Sequence, residues 1–150
     1  MSQESTIYTP EAILPEGDDF TTATNPFTGE TGRARKGIIA ATLNNVALLN
    51  PLLLSNSDKH LSQIHAIEST IKELLPSLKA VGIFHMFTVD EWVGEGQQPG
   101  RVLAALLYLQ AYPGECSPKL HLKLEHLSKS LSSSYVTTTI AHFLQTHYGS

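Results

Sequence analysis

At 150 residues, with 41% apolar and 16% charged side chains, the chain can bury one self-sufficient core and is short for two domains. Its net charge of −4 excludes the basic footprint of a nucleic-acid binder, and its single cysteine, Cys116, cannot close an internal disulfide. No apolar run approaches the roughly 20 residues of a membrane span, and no secretory apolar segment opens the chain, so the sequence reads as cytoplasmic, with no nucleic acid and no membrane among its partners.

Residues 1–19 (MSQESTIYTPEAILPEGDD) hold prolines, acidic residues and few large apolar side chains. Such a segment buries too little surface to offset its ordering entropy. It is read as a flexible N-terminal arm, and residues 20–150 as a single helical domain. Ile7, Tyr8, Ile13 and Leu14 are the side chains able to anchor the arm on its own body or on a neighbour. Phe20-Thr21-Thr22-Ala23-Thr24 is strand-prone, and Asn25-Pro26-Phe27-Thr28-Gly29 has turn chemistry. Together they predict a short hairpin ending near Thr31. Two strands alone are marginal and must pack on helices or on another chain.

From Ala34 to Leu49 the spacing predicts a helix with Ile39, Leu43 and Val46 inward, widened by Ile38 and Leu49 and ended by Asn50-Pro51. Asn44 and Asn45 are poor helix formers in mid-helix; solvated or back-bonded asparagines are the ordinary outcome there. The clearest pattern runs from Ser57 to Ala80, where Leu61, Ile64, Ile67, Ile71, Leu74 and Leu78 recur at intervals of 3 and 4. Pro76 predicts a break in it. Thr88-Val89-Asp90-Glu91 has the form of a capping box, opening a short turn that Gly94 stops. Pro99 opens the next helix, since its missing N–H costs nothing at the first position. Val102 to Leu109 is apolar on every side, which marks a buried central helix. Ser117-Pro118 starts another. Its leucines alternate at 120, 122 and 124, but Leu120, Leu124, Leu127 and Leu131 fit a helix over a longer span. Ser132 to Ser134 reads as a linker. Tyr135 to His147 reads as a last helix with Val136, Ile140, Phe143 and Leu144 inward, against the strand preference of Thr137-Thr138-Thr139. The expected fold is mainly α: a compact orthogonal bundle of five to six helices with a short N-terminal β-hairpin.

The stretch from Val81 to Arg101 concentrates the chemistry. It carries the only tryptophan of the chain and four of its ten glycines. Val81, Gly82, Phe84, Phe87, Glu91, Trp92, Pro99, Gly100 and Arg101 form the pattern V-G-x-F-x-x-F-x-x-x-E-W followed by P-G-R. In this pattern the segment resembles a small uncharacterised family of bacterial and fungal proteins. The resemblance extends back over Thr42-Leu43-Asn44-Asn45 and has no counterpart after Tyr112. It implies a recurring small domain and no particular substrate.

Arg101 falls in the first turn of its helix, where a cation is electrostatically unfavourable. Asp90, Glu91 and Glu95 are its expected partners, as a loop lock or as part of a site. His85 sits in an apolar run near Asp90 and Glu91. An imidazole oriented by a carboxylate is a general acid or base; a core histidine with a structural partner is the plainer reading.

Six of the seven histidines form three pairs spaced by five, at 60/65, 121/126 and 142/147. A metal pair on one helix face needs spacing 3 or 4. No metal is therefore assigned, although zinc or copper held between different helices stays open. Nothing in the sequence places Cys116 with His121 and Lys119 as a thiol nucleophile. Gly94-Glu95-Gly96 lacks the strand, the Lys and the Ser/Thr of a phosphate loop.

Two functions are carried forward. One is a small cofactor-independent enzyme of lyase, isomerase or cyclase type, acting on an apolar small molecule by acid–base chemistry. His85, Asp90, Glu91 and Arg101 would be its polar groups, and Phe84, Phe87, Trp92 and Tyr108 its pocket walls. The other is a non-catalytic protein-interaction module, a homodimer among its forms, in which the same aromatics make an interface. An apolar cavity beside Trp92 favours the first, a flat apolar patch the second.

Overall fold

A computed structural model describes residues 20–29, 31–35 and 37–148. The N-terminal arm read at residues 1–19 lies outside the described residues. Strands β1 (Phe20–Thr24) and β2 (Thr31–Arg35) pair antiparallel, Phe20 opposite Arg35 and Thr24 opposite Thr31. Five longer helices follow among the described residues: α1 (Ile38–Leu54), α2 (Leu61–Val81), α5 (Pro99–Ala111), α6 (Pro118–Ser130) and α7 (Ser134–Tyr148). Between α2 and α5 stand two single-turn helices, α3 (Ile83–Met86) and α4 (Val89–Val93). The fold is a helical one with a short hairpin, as the pattern of the chain predicts.

Helix α5 is the centre. Every residue from Val102 to Leu109 is buried, and α1, α2, α4 and α7 all pack against it. The hairpin lies on α2, so it is not left to stand alone. Gly32 permits that approach, because a Cβ there would meet the Ala80 Cβ at 3.3 Å.

The start signals work as expected. Thr88 and Glu91 form a complete capping box, the Ser117 hydroxyl accepts from the Leu120 amide at 3.1 Å, and Pro99 and Pro118 open their helices. In α6 the helical spacing prevails: Leu120, Leu124 and Leu127 are buried, whereas Leu122 is 64% exposed. The threonines of α7 are accommodated by turning inward on the backbone. Thr137 donates to the Ser134 carbonyl at 3.0 Å and Thr139 to the Tyr135 carbonyl at 2.8 Å.

Three expectations are corrected. Pro51 does not end α1, which continues to Leu54. Pro76 does not break α2, which runs unbroken for 21 residues. Both prolines are exposed. Each removes one backbone bond, and on the solvent side the freed carbonyl can turn to water. The cost, ~3 kcal/mol for an interior proline, is outweighed in α2 by Ile71, Leu74, Leu75 and Leu78, all buried around it, at ~1.5–3 kcal/mol each.

The third correction concerns the face of α1. Ile39 and Leu43 are 45% and 55% exposed, while Ile38, Ala41, Thr42, Asn45, Val46 and Leu49 face the core. Asn45 enters the core because its side-chain amide donates to the Ala41 carbonyl at 2.7 Å, which answers part of its hydrogen-bonding need within its own helix. The helix is thereby rotated away from the stripe that apolarity alone predicts, and two large aliphatic side chains are left outside.

Candidate functional site

The short helices α3 and α4 hang the aromatic cluster between α2 and α5. Gly82, at φ 78°, ends α2 in a left-handed conformation and turns the chain into α3. The α4 cap is closed from both sides. The Thr88 amide donates to Glu91 Oε1 at 2.8 Å, and the Glu91 amide donates to the Thr88 hydroxyl at 3.3 Å. Glu91 is occupied by that role. The turn drives Trp92 and Val93 inward. Trp92 tilts against Phe84 at 5.0 Å, and Phe84 stacks on Tyr108 at 4.1 Å. Phe84, Trp92 and Tyr108 thus form one buried aromatic row, whereas Phe87 stays 50% exposed.

Arg101 is positioned by the junction of α5 with α1. The Gly100 amide donates to Asn50 Oδ1 at 2.8 Å, and a Cβ at Gly100 would collide with the Val46 carbonyl. Only glycine lets the first turn of α5 sit this close. The next residue, Arg101, then lies over the Trp92 ring at 5.6 Å and donates from Nη2 to the Glu91 carbonyl at 2.9 Å. The expectation of a carboxylate partner is therefore corrected. Among the described residues no carboxylate pairs with Arg101; Asp90 faces Lys123 at 3.8 Å, and Glu91 offers its backbone.

Beside this junction lies a groove of about 410 Å³. Helix α1 supplies Ile39, Thr42, Leu43, Val46, Ala47 and Asn50 to its lining; Leu78, Ile83, Phe87, Trp92, Gln98 and Arg101 complete it. The exposed faces of Ile39 and Leu43, which an inward stripe would have hidden, form one wall. The Trp92 indole nitrogen is buried and has no hydrogen-bond partner among the described residues.

His85 lies elsewhere. Its Nδ1 is 3.3 Å from the Asn25 side-chain nitrogen, and its ring stacks on Phe27 at 5.9 Å. The orientation of Asn25 is set by the backbone: Oδ1 accepts from the Phe27 and Thr28 amides, and Nδ2 donates to the Lys79 carbonyl at 2.8 Å. Asn25 must therefore donate to His85, which makes Nδ1 the acceptor and puts the proton of the neutral ring on Nε2. Nε2 faces Glu115 Oε1 at 3.8 Å, and the same oxygen accepts from the Tyr108 hydroxyl at 2.7 Å. The carboxylate beside His85 is thus Glu115, not Asp90 or Glu91. With Nδ1 engaged by Asn25, the ring latches the hairpin turn to α3. Sequence proximity favoured the wrong acids because Glu115 arrives from beyond α5, 30 residues away. Asn25 was legible only as a turn residue.

Of the sequence-derived site residues, the groove gathers Phe87, Trp92 and Arg101. Phe84 and Tyr108 support it from behind, and His85, Asp90 and Glu91 do not line it. A second cleft, of about 520 Å³, separates α2 from α7. Lys72 and His142 line it, together with Glu68 and Tyr135, whose hydroxyl donates to Glu68 Oε1 at 2.9 Å. Burial first, then the Glu68 carboxylate, push the Tyr135 phenol well above its ordinary value. Among the described residues no group of three His, Cys, Asp or Glu side chains is placed to hold a metal, and no helix is long and apolar enough to cross a membrane.

The family model described as a domain of unknown function, DUF7709, matches residues 6–112. The chain belongs to the DUF7709 family. Comparison with curated proteins and with solved structures finds no match. The whole lining of the groove, from Ile39 to Arg101, falls inside the DUF7709 match, as does His85. Glu115, α6 and α7 fall after it, so one wall of the second cleft does too.

Proposed function

We propose that this DUF7709 chain binds an apolar small molecule in the groove beside Trp92. The observation that carries the reading is the groove itself. Its volume is of the size that small-molecule sites have, roughly 300–1,000 Å³, and its walls are aliphatic and aromatic with few polar groups, as such sites are built. The catalytic form of the reading, a cofactor-independent lyase, isomerase or cyclase, needs a proton-transfer group within reach of the ligand. His85, Asp90 and Glu91 are outside the lining, so binding is the part that the geometry supports best.

The neutral fluorescent probe N-phenyl-1-naphthylamine tests this. It should bind with enhanced emission, and Ala47→Phe, which fills the groove from an exposed position of α1, should weaken it by about tenfold or more, a change of ~1.4 kcal/mol, with the urea midpoint unmoved. Equal binding by both proteins would place the probe elsewhere and remove the proposal.

One observation favours the second reading, a protein-interaction module. Ile39, Leu43 and Phe87 are each about half exposed along the same groove, an apolar rim that an amphipathic helix of a partner or a second copy can cover. Light scattering across a concentration series separates the cases. A dimer dissociated by Leu43→Asp supports the module; a monomer at all concentrations removes the homodimer.

A further inference from the structure

Resting on the binding reading above, we infer that the groove's ligand is an apolar acid, an aliphatic or aromatic monocarboxylate whose head group is held by Arg101. Three observations converge. Among the described residues Arg101 is the one ionisable residue in the lining of the groove, so the site carries a single positive charge against an otherwise neutral wall. Among the described residues that charge is uncompensated: the two contacts that orient the guanidinium, the Trp92 ring and the Glu91 carbonyl, are both neutral.

Its position increases the imbalance. Arg101 is the third residue of the 13-residue helix α5, where the helix end already has positive character. The first-turn amides are already engaged and are not free for an anion. Gly100 donates to Asn50, Arg101 and Val102 donate to the Gln98 carbonyl, and Pro99 has no N–H. An anion here is therefore held by the guanidinium side chain and not by the helix backbone.

The third observation is independent of charge. Trp92 is 6% exposed, lines the groove, and has a buried indole N–H with no acceptor among the described residues. A buried donor without a partner is costly and calls for an explanation. A carboxylate on Arg101 would add an acceptor on this ring's side of the groove, which meets the indole only if its N–H edge, closed to solvent in the free chain, opens to it. The hydrocarbon part then lies along Ile39, Leu43 and Phe87, which are otherwise left to water.

The full chain reports on its own site, because Trp92 is its only tryptophan. Decanoate, decanol and decyltrimethylammonium, each below its micellar range, are titrated while Trp92 emission is followed. Decanoate should bind at least about tenfold tighter than decanol, and decyltrimethylammonium weakest. Arg101→Gln should remove the decanoate advantage, read as the ratio of decanoate to decanol affinity within the same variant. Arg101→Lys, which keeps the charge without the planar fork, should retain part of it. The advantage should shrink at about 0.5 M KCl. The wild-type comparison needs no variant to fold. Decanol equal to decanoate, or an advantage that survives Arg101→Gln, overturns the acid and leaves apolar binding standing. No response to any of the three, together with no binding of N-phenyl-1-naphthylamine, overturns the binding reading itself.

Discussion

At the scale of single residues, the polar groups near the hairpin are tied into its packing. Asn25 is 1% exposed and uses both ends of its amide to join the turn to α2 and α3. Asn25→Ala leaves backbone donors and the Lys79 carbonyl without that partner and should cost ~1–3 kcal/mol in urea unfolding. Nitrogen NMR of His85 in the intact protein should show the proton on Nε2; a ring protonated on Nδ1 would contradict the latch. Tyr135 makes a prediction with pH. Its phenol ionises at higher pH in the folded chain than in the unfolded one. The unfolded state thus gives up its proton first, near pH ~10, and stability is lost as pH rises beyond that point. Below it the contribution is fully present. Tyr135→Phe should flatten the alkaline limb of the stability curve, and an unchanged limb would show that Tyr135 is not its source.

At the scale of elements, two positions separate what helix rules predict from what packing demands. Pro76 sits on the exposed side of α2, flanked in sequence by the buried Leu74, Leu75 and Leu78. Pro76→Ala restores the missing donor to the helix and should raise stability, by up to ~3 kcal/mol on helix propensity. A loss of stability would show that the ring itself packs. Gly100 behaves oppositely. Alanine is the better helix former, yet a Cβ there would strike the Val46 carbonyl and Asn50. Gly100→Ala should destabilise by ~1–3 kcal/mol, as overpacked sites do, and should also disturb decanoate binding because it displaces the turn that carries Arg101. A neutral effect on both measurements would mean that α1 and α5 are not so tightly joined.

At the scale of the whole molecule, one helix organises the rest. Leu106 lies on α5, fully buried, and Leu106→Ala should cost ~2–5 kcal/mol, read as a lowered denaturant midpoint. A change below ~1 kcal/mol in denaturant melts would be incompatible with a central α5. The DUF7709 match stops at Tyr112, directly after this helix. Yet α7 packs on α5, and Asn56, in the turn between α1 and α2, donates to the Ser132 carbonyl and accepts from the Ser134 amide. In this chain the segment after the family match is built into the same core.

The elements themselves were legible in the sequence. Thr88–Glu91, Ser117-Pro118 and Pro99 are local devices whose hydrogen bonds close within three or four residues, so their meaning needs no tertiary partner. The buried centre was equally clear, since a helix apolar on all sides has nowhere else to go. Trp92, Phe87 and Arg101 were singled out by composition and do share a groove. What the tertiary structure alone decided is which polar groups meet. Glu115 reaches His85 across the length of α5, Asn25 reaches it from the hairpin, and Arg101 finds a carbonyl in place of the nearby carboxylates. It also decided the rotation of α1, because Asn45 can be buried once its amide bonds Ala41. That rotation is what exposes Ile39 and Leu43 and makes the groove. Periodicity counts apolar side chains around a helix; it does not record a hydrogen bond that lets a polar one take their place.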